Sequence, residues 1–252
     1  MIRILSLMLF FLLSNQFYAA AQTTTITVRA RAVGAKFVGS SMGGAKVILR
    51  DAVADTILAS GYTSGSTGDT DLLMRECHEV NDTITTPETA AFITSINLNE
   101  PVLANIEILS PLNNAGAFLK SEKQIWLIPG KDILGDGIII PIYGFIVDIV
   151  SPFIHHRYAA DEAIVIRANV VMMCGCPVKS GGLWDADQYE IRAVLLKDKK
   201  IIEKLDLKST AEENIFENSI SNLDPGNYHV QVYAFDPVTG NTGLDKTNFI
   251  IY

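Results

Sequence analysis

The chain has 252 residues, of which 48% are hydrophobic and 19% charged, a length and composition that suit one large or two ordinary domains around a substantial core and argue against disorder. Its formal charge is −8. The only basic cluster, Lys197 to Lys204, is interrupted by Asp198 and Glu203, so a nucleic-acid partner is excluded for want of a phosphate-neutralising surface.

The N-terminus opens with Arg3, an apolar run from Ile4 to Leu13 and the small residues Ala19-Ala20-Ala21 before Gln22. That is the layout of a cleaved secretory signal over residues 1–21. No cysteine stands at the expected cut, so a lipid-anchored lipoprotein is not indicated. A second apolar run, Ile138 to Val150, is too short to span a bilayer and contains Pro141, Gly144 and Asp148, so no transmembrane segment is expected after cleavage. The expected address is the periplasm or the extracellular medium. There the three cysteines meet conditions in which disulfides form, and an odd number leaves at least one thiol over.

Residue alternation dominates the mature chain and predicts an all-β protein. Ile26, Val28, Ala30 and Ala32 alternate with Thr27, Arg29 and Arg31, giving an opening strand with one apolar and one polar face. After the turn-rich Gly39 to Gly44, strands are expected at Ala45 to Leu49 and Ile57 to Tyr62. Asp71 to Pro87, which holds Cys77 and His78, has no period and is expected to be irregular. Strands follow at Ala91 to Asn97, Val102 to Leu109 and Gln124 to Ile128. Ile138 to Val150 then closes a first domain, residues 22–150, at Ser151-Pro152.

In the second domain, residues 151–252, Ile164, Ile166, Ala168, Val170 and Met172 share one face of a long strand. Tyr189, Ile191, Ala193 and Leu195 do the same, and Lys197 to Lys200 is a tight hairpin turn into Ile201 to Leu207. Asn214 to Ile220, Val230 to Ala234 and Lys246 to Tyr252 complete the set.

The approach Pro225-Gly226-Asn227-Tyr228 to an alternating strand resembles the penultimate strand of bacterial immunoglobulin-like and fibronectin-like sandwiches, in which a tyrosine caps the sheet corner. The resemblance covers roughly the last hundred residues. Upstream, Ala45-Lys46-Val47-Ile48-Leu49 and Ile57-Leu58-Ala59-Ser60-Gly61-Tyr62-Thr63, followed by a Gly/Asp loop, look like a transthyretin-like or carboxypeptidase-regulatory-like domain. That resemblance stops near residue 75, and Cys77 to Pro87 departs from it. It implies a small β-sandwich serving adhesion, transport or support of a neighbour. Neither resemblance carries a catalytic residue onto this chain.

The chemically distinctive stretch is Val170-Val171-Met172-Met173-Cys174-Gly175-Cys176-Pro177 and the loop after it to Asp185. On an extended backbone the Cys174 and Cys176 side chains leave one face with Cα atoms roughly 6.6 Å apart, near the upper limit for a disulfide that Gly175 helps to close. A disulfide between these two, or from one of them to Cys77, is the leading expectation. The alternatives are inert buried thiols, or a soft-metal site for Cu(I), or for Zn²⁺ with further nitrogen or oxygen ligands. Met172 belongs to a core face, so Met173 is the methionine free to join the two cysteines.

Trp184 on its glycine-flanked loop is the expected contact anchor for a protein or cell-surface partner, beside Asp185 and Asp187. His155 and His156 point apart on a regular strand. Asp132 and Asp136 lack calcium-loop spacing. Gly39-Ser40-Ser41-Met42-Gly43 has nucleophile-elbow spacing without the strand-turn-helix that motif needs. The sequence thus predicts two tandem antiparallel β-sandwiches in an exported, non-enzymatic binding or accessory protein without a cofactor, presenting a Cys-Gly-Cys corner. The alternative is a copper-binding or delivery protein using Cys174, Cys176 and Met173.

Overall fold

The computed structural model describes residues 21–252; the expected leader, up to its last residue, lies outside the described residues. The chain is all-β. The sixteen strands of the described residues form four sheets, two from each half.

In the first half the strands are β1 (Gln22–Ala32), β2 (Lys46–Asp51), β3 (Ile57–Tyr62), β4 (Phe92–Leu98), β5 (Val102–Ser110), β6 (Leu119–Leu127) and β7 (Ile133–Ile142). They make a sheet ordered β4-β1-β7 and another ordered β3-β2-β5-β6. Ile26, Val28 and Ala30 of β1, Val47 and Leu49 of β2, Ile106 and Ile108 of β5 and Ile140 of β7 are buried. Each such aliphatic side chain contributes about 1.5–3 kcal/mol on leaving water.

The face of β1 expected to be solvated is buried as well. The irregular chain between β3 and β4, with its one-turn helix Thr70–Met74, folds over it. Burial lowers the basicity of Arg29, which donates to the carbonyls of Thr89, Ala90 and Gly135 with the Asp136 carboxylate nearby. Arg31 reaches the Ala35 and Leu73 carbonyls and lies 5.8 Å from the Phe37 ring centre. Three carbonyls thus take up the two terminal nitrogens of a group that is costly to bury unpaired, while its Nε is buried without a partner among the described residues.

The run Ile138 to Val150 is not one strand closing the first half. It divides at Tyr143-Gly144: β7 runs parallel to β1, while β8 (Phe145–Ser151) pairs with a strand of the second half. Gly144 has φ +135°, a conformation open to glycine and strained for any other residue. A continuous apolar run has the same pattern whether it is one buried strand or two that change sheets. The halves therefore meet near residue 144 rather than at Ser151-Pro152.

The second half adds β9 (His156–Tyr158), β10 (Ile164–Met172), β11 (Glu190–Lys197), β12 (Lys200–Asp206), β13 (Lys208–Ser209), β14 (Ile215–Ile220), β15 (Gly226–Phe235) and β16 (Thr242–Ile251). One sheet is β13-β14-β10-β8 and the other β12-β11-β15-β16-β9. Lettering the strands from β8 as A, this is an A-B-E-D sheet facing a C-F-G sheet with one added edge strand on either side, the immunoglobulin connectivity. The predicted inward faces of β10, β11 and β15 are buried as expected. Asp198 and Lys199, both at positive φ, make the expected tight turn between β11 and β12. The last strand begins at Thr242, four residues earlier than the alternation suggests, because Thr242 to Lys246 is mostly polar.

Tyr228 forms the expected corner. Its hydroxyl donates to the Asp224 carbonyl at 2.7 Å, and its ring stacks on Phe249 with centroids 5.3 Å apart. Tyr228→Phe keeps the stack and removes one hydrogen bond, so it should cost about 0.5–1.5 kcal/mol in guanidinium denaturation. A variant as stable as the wild type would deny the corner any role in holding the sheet.

Candidate functional site

The chemistry-bearing residues gather where the halves meet. After β1 the chain turns through Val33-Gly34-Ala35-Lys36 with Gly34 at φ +70°. Ala35 in the turn and Phe37 after it are fully buried, whereas Gly34 is exposed and Val33 and Lys36 are half-buried. Three successive features of the turn are taken up by the second half. The Val33 carbonyl accepts from Asn241 Nδ2 at 2.9 Å, and the Asn241 oxygen accepts the Gly144 N–H at 2.9 Å. The Gly34 carbonyl accepts from Trp184 Nε1 at 2.9 Å. The Lys36 N–H is directed at the sulfurs of Cys174 and Cys176.

Cys174 and Cys176 do not leave an extended strand. Beyond β10 the chain folds back: Gly175 adopts φ +77°, its N–H donates to the Met172 carbonyl at 2.7 Å, the Met172 N–H donates to the Cys176 carbonyl at 3.0 Å, and Val171 bridges Pro177. The two side chains therefore flank a tight turn. All three cysteines are free thiols, with Cys77 exposed and Cys174 and Cys176 buried. This corrects the expected disulfide, both within the pair and to Cys77, which stands on the exposed loop after the short helix.

Burial alone raises the Cys174 thiol, yet the facing Cys176 S–H and the N–H groups of Lys36 and Cys176 outweigh it, and Cys174 ionises below the usual thiol range. Cys176, the donor of the pair, is pushed far up by its bond to Cys174 and by burial, against the pull of the Lys36 ammonium. The pair thus holds one proton firmly between two sulfurs and surrenders the other more readily.

The third sulfur at this turn is Met42. A methyl group added to Gly175 would stand 2.5 Å from Met42 Sδ, so the thioether of the first half lies against the bare Cα between the two cysteines. Met173 lies elsewhere: it is buried, its Cε packs over Gly144, and it lines a separate cleft. Sequence reasoning chose the neighbouring methionine because Met42, some 130 residues away, sits in what reads as a glycine-rich turn.

Trp184 is also placed differently from expectation. It is only 6% exposed, and the contact it anchors is with the chain's own first half. Asp185 and Asp187 hold its loop: Asp185 accepts from the N–H groups of Gly181 and Asp187, and Asp187 accepts from Ser180 Oγ at 2.7 Å. Asp132 accepts the Thr25 N–H at 2.8 Å, and Asp136 accepts the Ile84 N–H and the Thr85 hydroxyl. These carboxylates tie strands and loops together. Ser40, in the Gly39 to Gly43 turn, accepts the Gly65 N–H at 3.0 Å. His78 hydrogen-bonds the Leu72 carbonyl, and the His155 N–H donates to the Asn248 carbonyl. Among the described residues no three His, Cys, Asp or Glu side chains gather at one point.

Beside the joint lies a cleft of about 630 Å³, within the range of ligand sites. Ala117 and Leu119 of the first half form one wall, and Phe145, Met173, Phe235 and Leu244 of the second form the other. Gly243 lets β16 approach β8 closely: a Cβ there would meet the Phe145 carbonyl at 2.5 Å. Leu119 and Leu244 are each more than 40% exposed, leaving an apolar rim.

No protein-family model and no curated protein matches the chain. Among solved structures, an engineered protein has TM-score 0.33 at 16% identity over 47% of this chain and 22% of its own, so the match spans about a fifth of that protein. The fibronectin(III)-like modules of Clostridium thermocellum CbhA have TM-score 0.29 at 14% identity over 91% of this chain and 93% of theirs. The titin domains Z1Z2 in complex with telethonin have 0.25 at 10% over 92% and 88%. The fold assignment rests on strand order rather than on these likenesses: the chain is an all-β protein of paired, mainly antiparallel sheets, with β7 parallel to β1 and β9 parallel to β16. Among the described residues no helix is long and apolar enough to cross a membrane.

Proposed function

We propose that this is an exported, non-enzymatic binding or accessory protein. In this reading a transthyretin-like or carboxypeptidase-regulatory-like sandwich and an immunoglobulin-like sandwich act as one unit and receive an apolar segment of a protein partner in the cleft beside their joint. The first half supports it by forming a small sandwich of three and four strands, as the resemblance implies. Export is supported by the leader-like first 21 residues.

The observation that carries the proposal is the cleft. Its walls come from both halves, and its rim leaves Leu119 and Leu244 in water, an arrangement that favours association over solvation. Titration with the fluorescent apolar probe anilinonaphthalene sulfonate should show saturable binding near one per chain. Leu119→Asp or Leu244→Asp should weaken it at least about tenfold, equivalent to about 1.4 kcal/mol. A photo-crosslinking residue at the exposed rim position Thr242 should give a discrete protein adduct in the producing cell, lost in Leu119→Asp. No saturable probe binding and no adduct would overturn the reading.

A further inference from the structure

We propose that Cys174, Cys176 and Met42 form a three-sulfur site for a single Cu(I) ion that bridges the two halves of the chain. The geometry carries this inference. Two buried free thiols stand on either side of the glycine in a tight turn, and a thioether from the other half lies on that glycine with no side chain between. Thiolate and thioether sulfur select Cu(I) among biological metals, and Cu(I) is content with two or three ligands. Zn²⁺, by contrast, takes four, and no third His, Cys, Asp or Glu stands with the pair among the described residues.

Charge fits as well. Binding breaks two S–H bonds and forms two Cu–S bonds, releasing two protons to solvent without change of oxidation state, while Met42 donates a lone pair. The resulting bis-thiolate complex carries one negative charge. The Lys36 side chain donates to the Thr70 hydroxyl at 3.0 Å. The site is independent of the apolar cleft, whose Met173 does not take part.

The test is an anaerobic competition between the full chain and the purple Cu(I)–bicinchoninate complex. The wild type should withdraw one equivalent of Cu(I), and X-ray absorption should show three sulfur neighbours. Cys174→Ser and Cys176→Ser should each lose more than about a hundredfold in affinity, beyond the cost of losing a mere outer partner of a ligand. Met42→Leu, close in volume, should lose about tenfold and leave two sulfurs. Cys77→Ser should change nothing. Because the ion binds only the folded, assembled chain, Cu(I) should also raise the melting temperature of the wild type and not that of Met42→Leu to the same degree, which keeps the test readable if a cysteine variant folds poorly. No withdrawal of Cu(I) by the wild type, or loss of binding in Cys77→Ser, would overturn the site; an unchanged three-sulfur shell in Met42→Leu would remove Met42 from it.

Discussion

Asn241→Ala is expected to lower the stability of the whole chain by about 2–5 kcal/mol, a large effect for one exchange far from any strand centre. The Asn241 side chain is fully buried and spends its amide on two backbone groups, the Val33 carbonyl and the Gly144 N–H, each at 2.9 Å. Alanine leaves both groups without this partner, the Gly144 N–H in a buried place and the Val33 carbonyl in a partly buried one, and each orphan costs about 1–3 kcal/mol when water does not replace the partner. Asn241→Asp retains the acceptor for Gly144 but sets a carboxylate oxygen against the Val33 carbonyl and buries a charge, so it should be no milder. The two tryptophans make the effect easy to resolve. Trp126 lies on β6, 60% exposed, in the first half, and Trp184 lies at the joint. In the wild type both should report one guanidinium transition; in Asn241→Ala the midpoint falls and the two probes separate. A variant within about 0.5 kcal/mol of wild type would show that the halves do not depend on this bridge.

What the sequence disclosed and what it concealed divide along a physical line. Inward faces such as Ile164 to Met172 were legible because burial on one side of a pleated strand imposes a period of two. The tyrosine corner was legible because Pro225-Gly226-Asn227-Tyr228 encodes a local geometry. The double burial of Arg29 was not, since its cover is an aperiodic segment whose contact with β1 leaves no pattern. The same is true of Asn241 and Val33, which lie 208 positions apart and meet through a single hydrogen bond. Asn241 in Thr239-Gly240-Asn241 reads as an ordinary turn residue. The Cys-Gly-Cys corner was found but misjudged. Pro177 marks the end of the strand, whereas the reversal begins at Met173-Cys174 and is completed by Gly175 in a left-handed conformation, so that Cys174 lies in the turn and Cys176 lies beyond it, opposite Met172. The sequence analysis also took the corner to be presented outward, and in the structure it is closed by the first half of the same chain.

Trp184→Ala is expected to cost about 3–5 kcal/mol, and the size of that loss separates two roles for the indole. A tryptophan kept on a loop to grip a partner would be largely solvated in the free chain, and truncating it would cost binding and leave stability almost untouched. Here the ring is 94% removed from solvent and its N–H is given to Gly34. Truncation therefore opens a void at the joint and strands a carbonyl. Trp184→Phe isolates the hydrogen bond, since most of the ring volume stays, and should cost about 1–2 kcal/mol. The two variants together test the assignment. If Trp184→Ala falls within about 1 kcal/mol of wild type, the indole is an external anchor after all. If Trp184→Ala and Trp184→Phe lose stability in the expected order while apolar-probe binding by the folded fraction persists, then the joint and the cleft are separate: Trp184 holds the first sandwich against the second, and the surface left for a partner is the one bounded by Leu119 and Leu244.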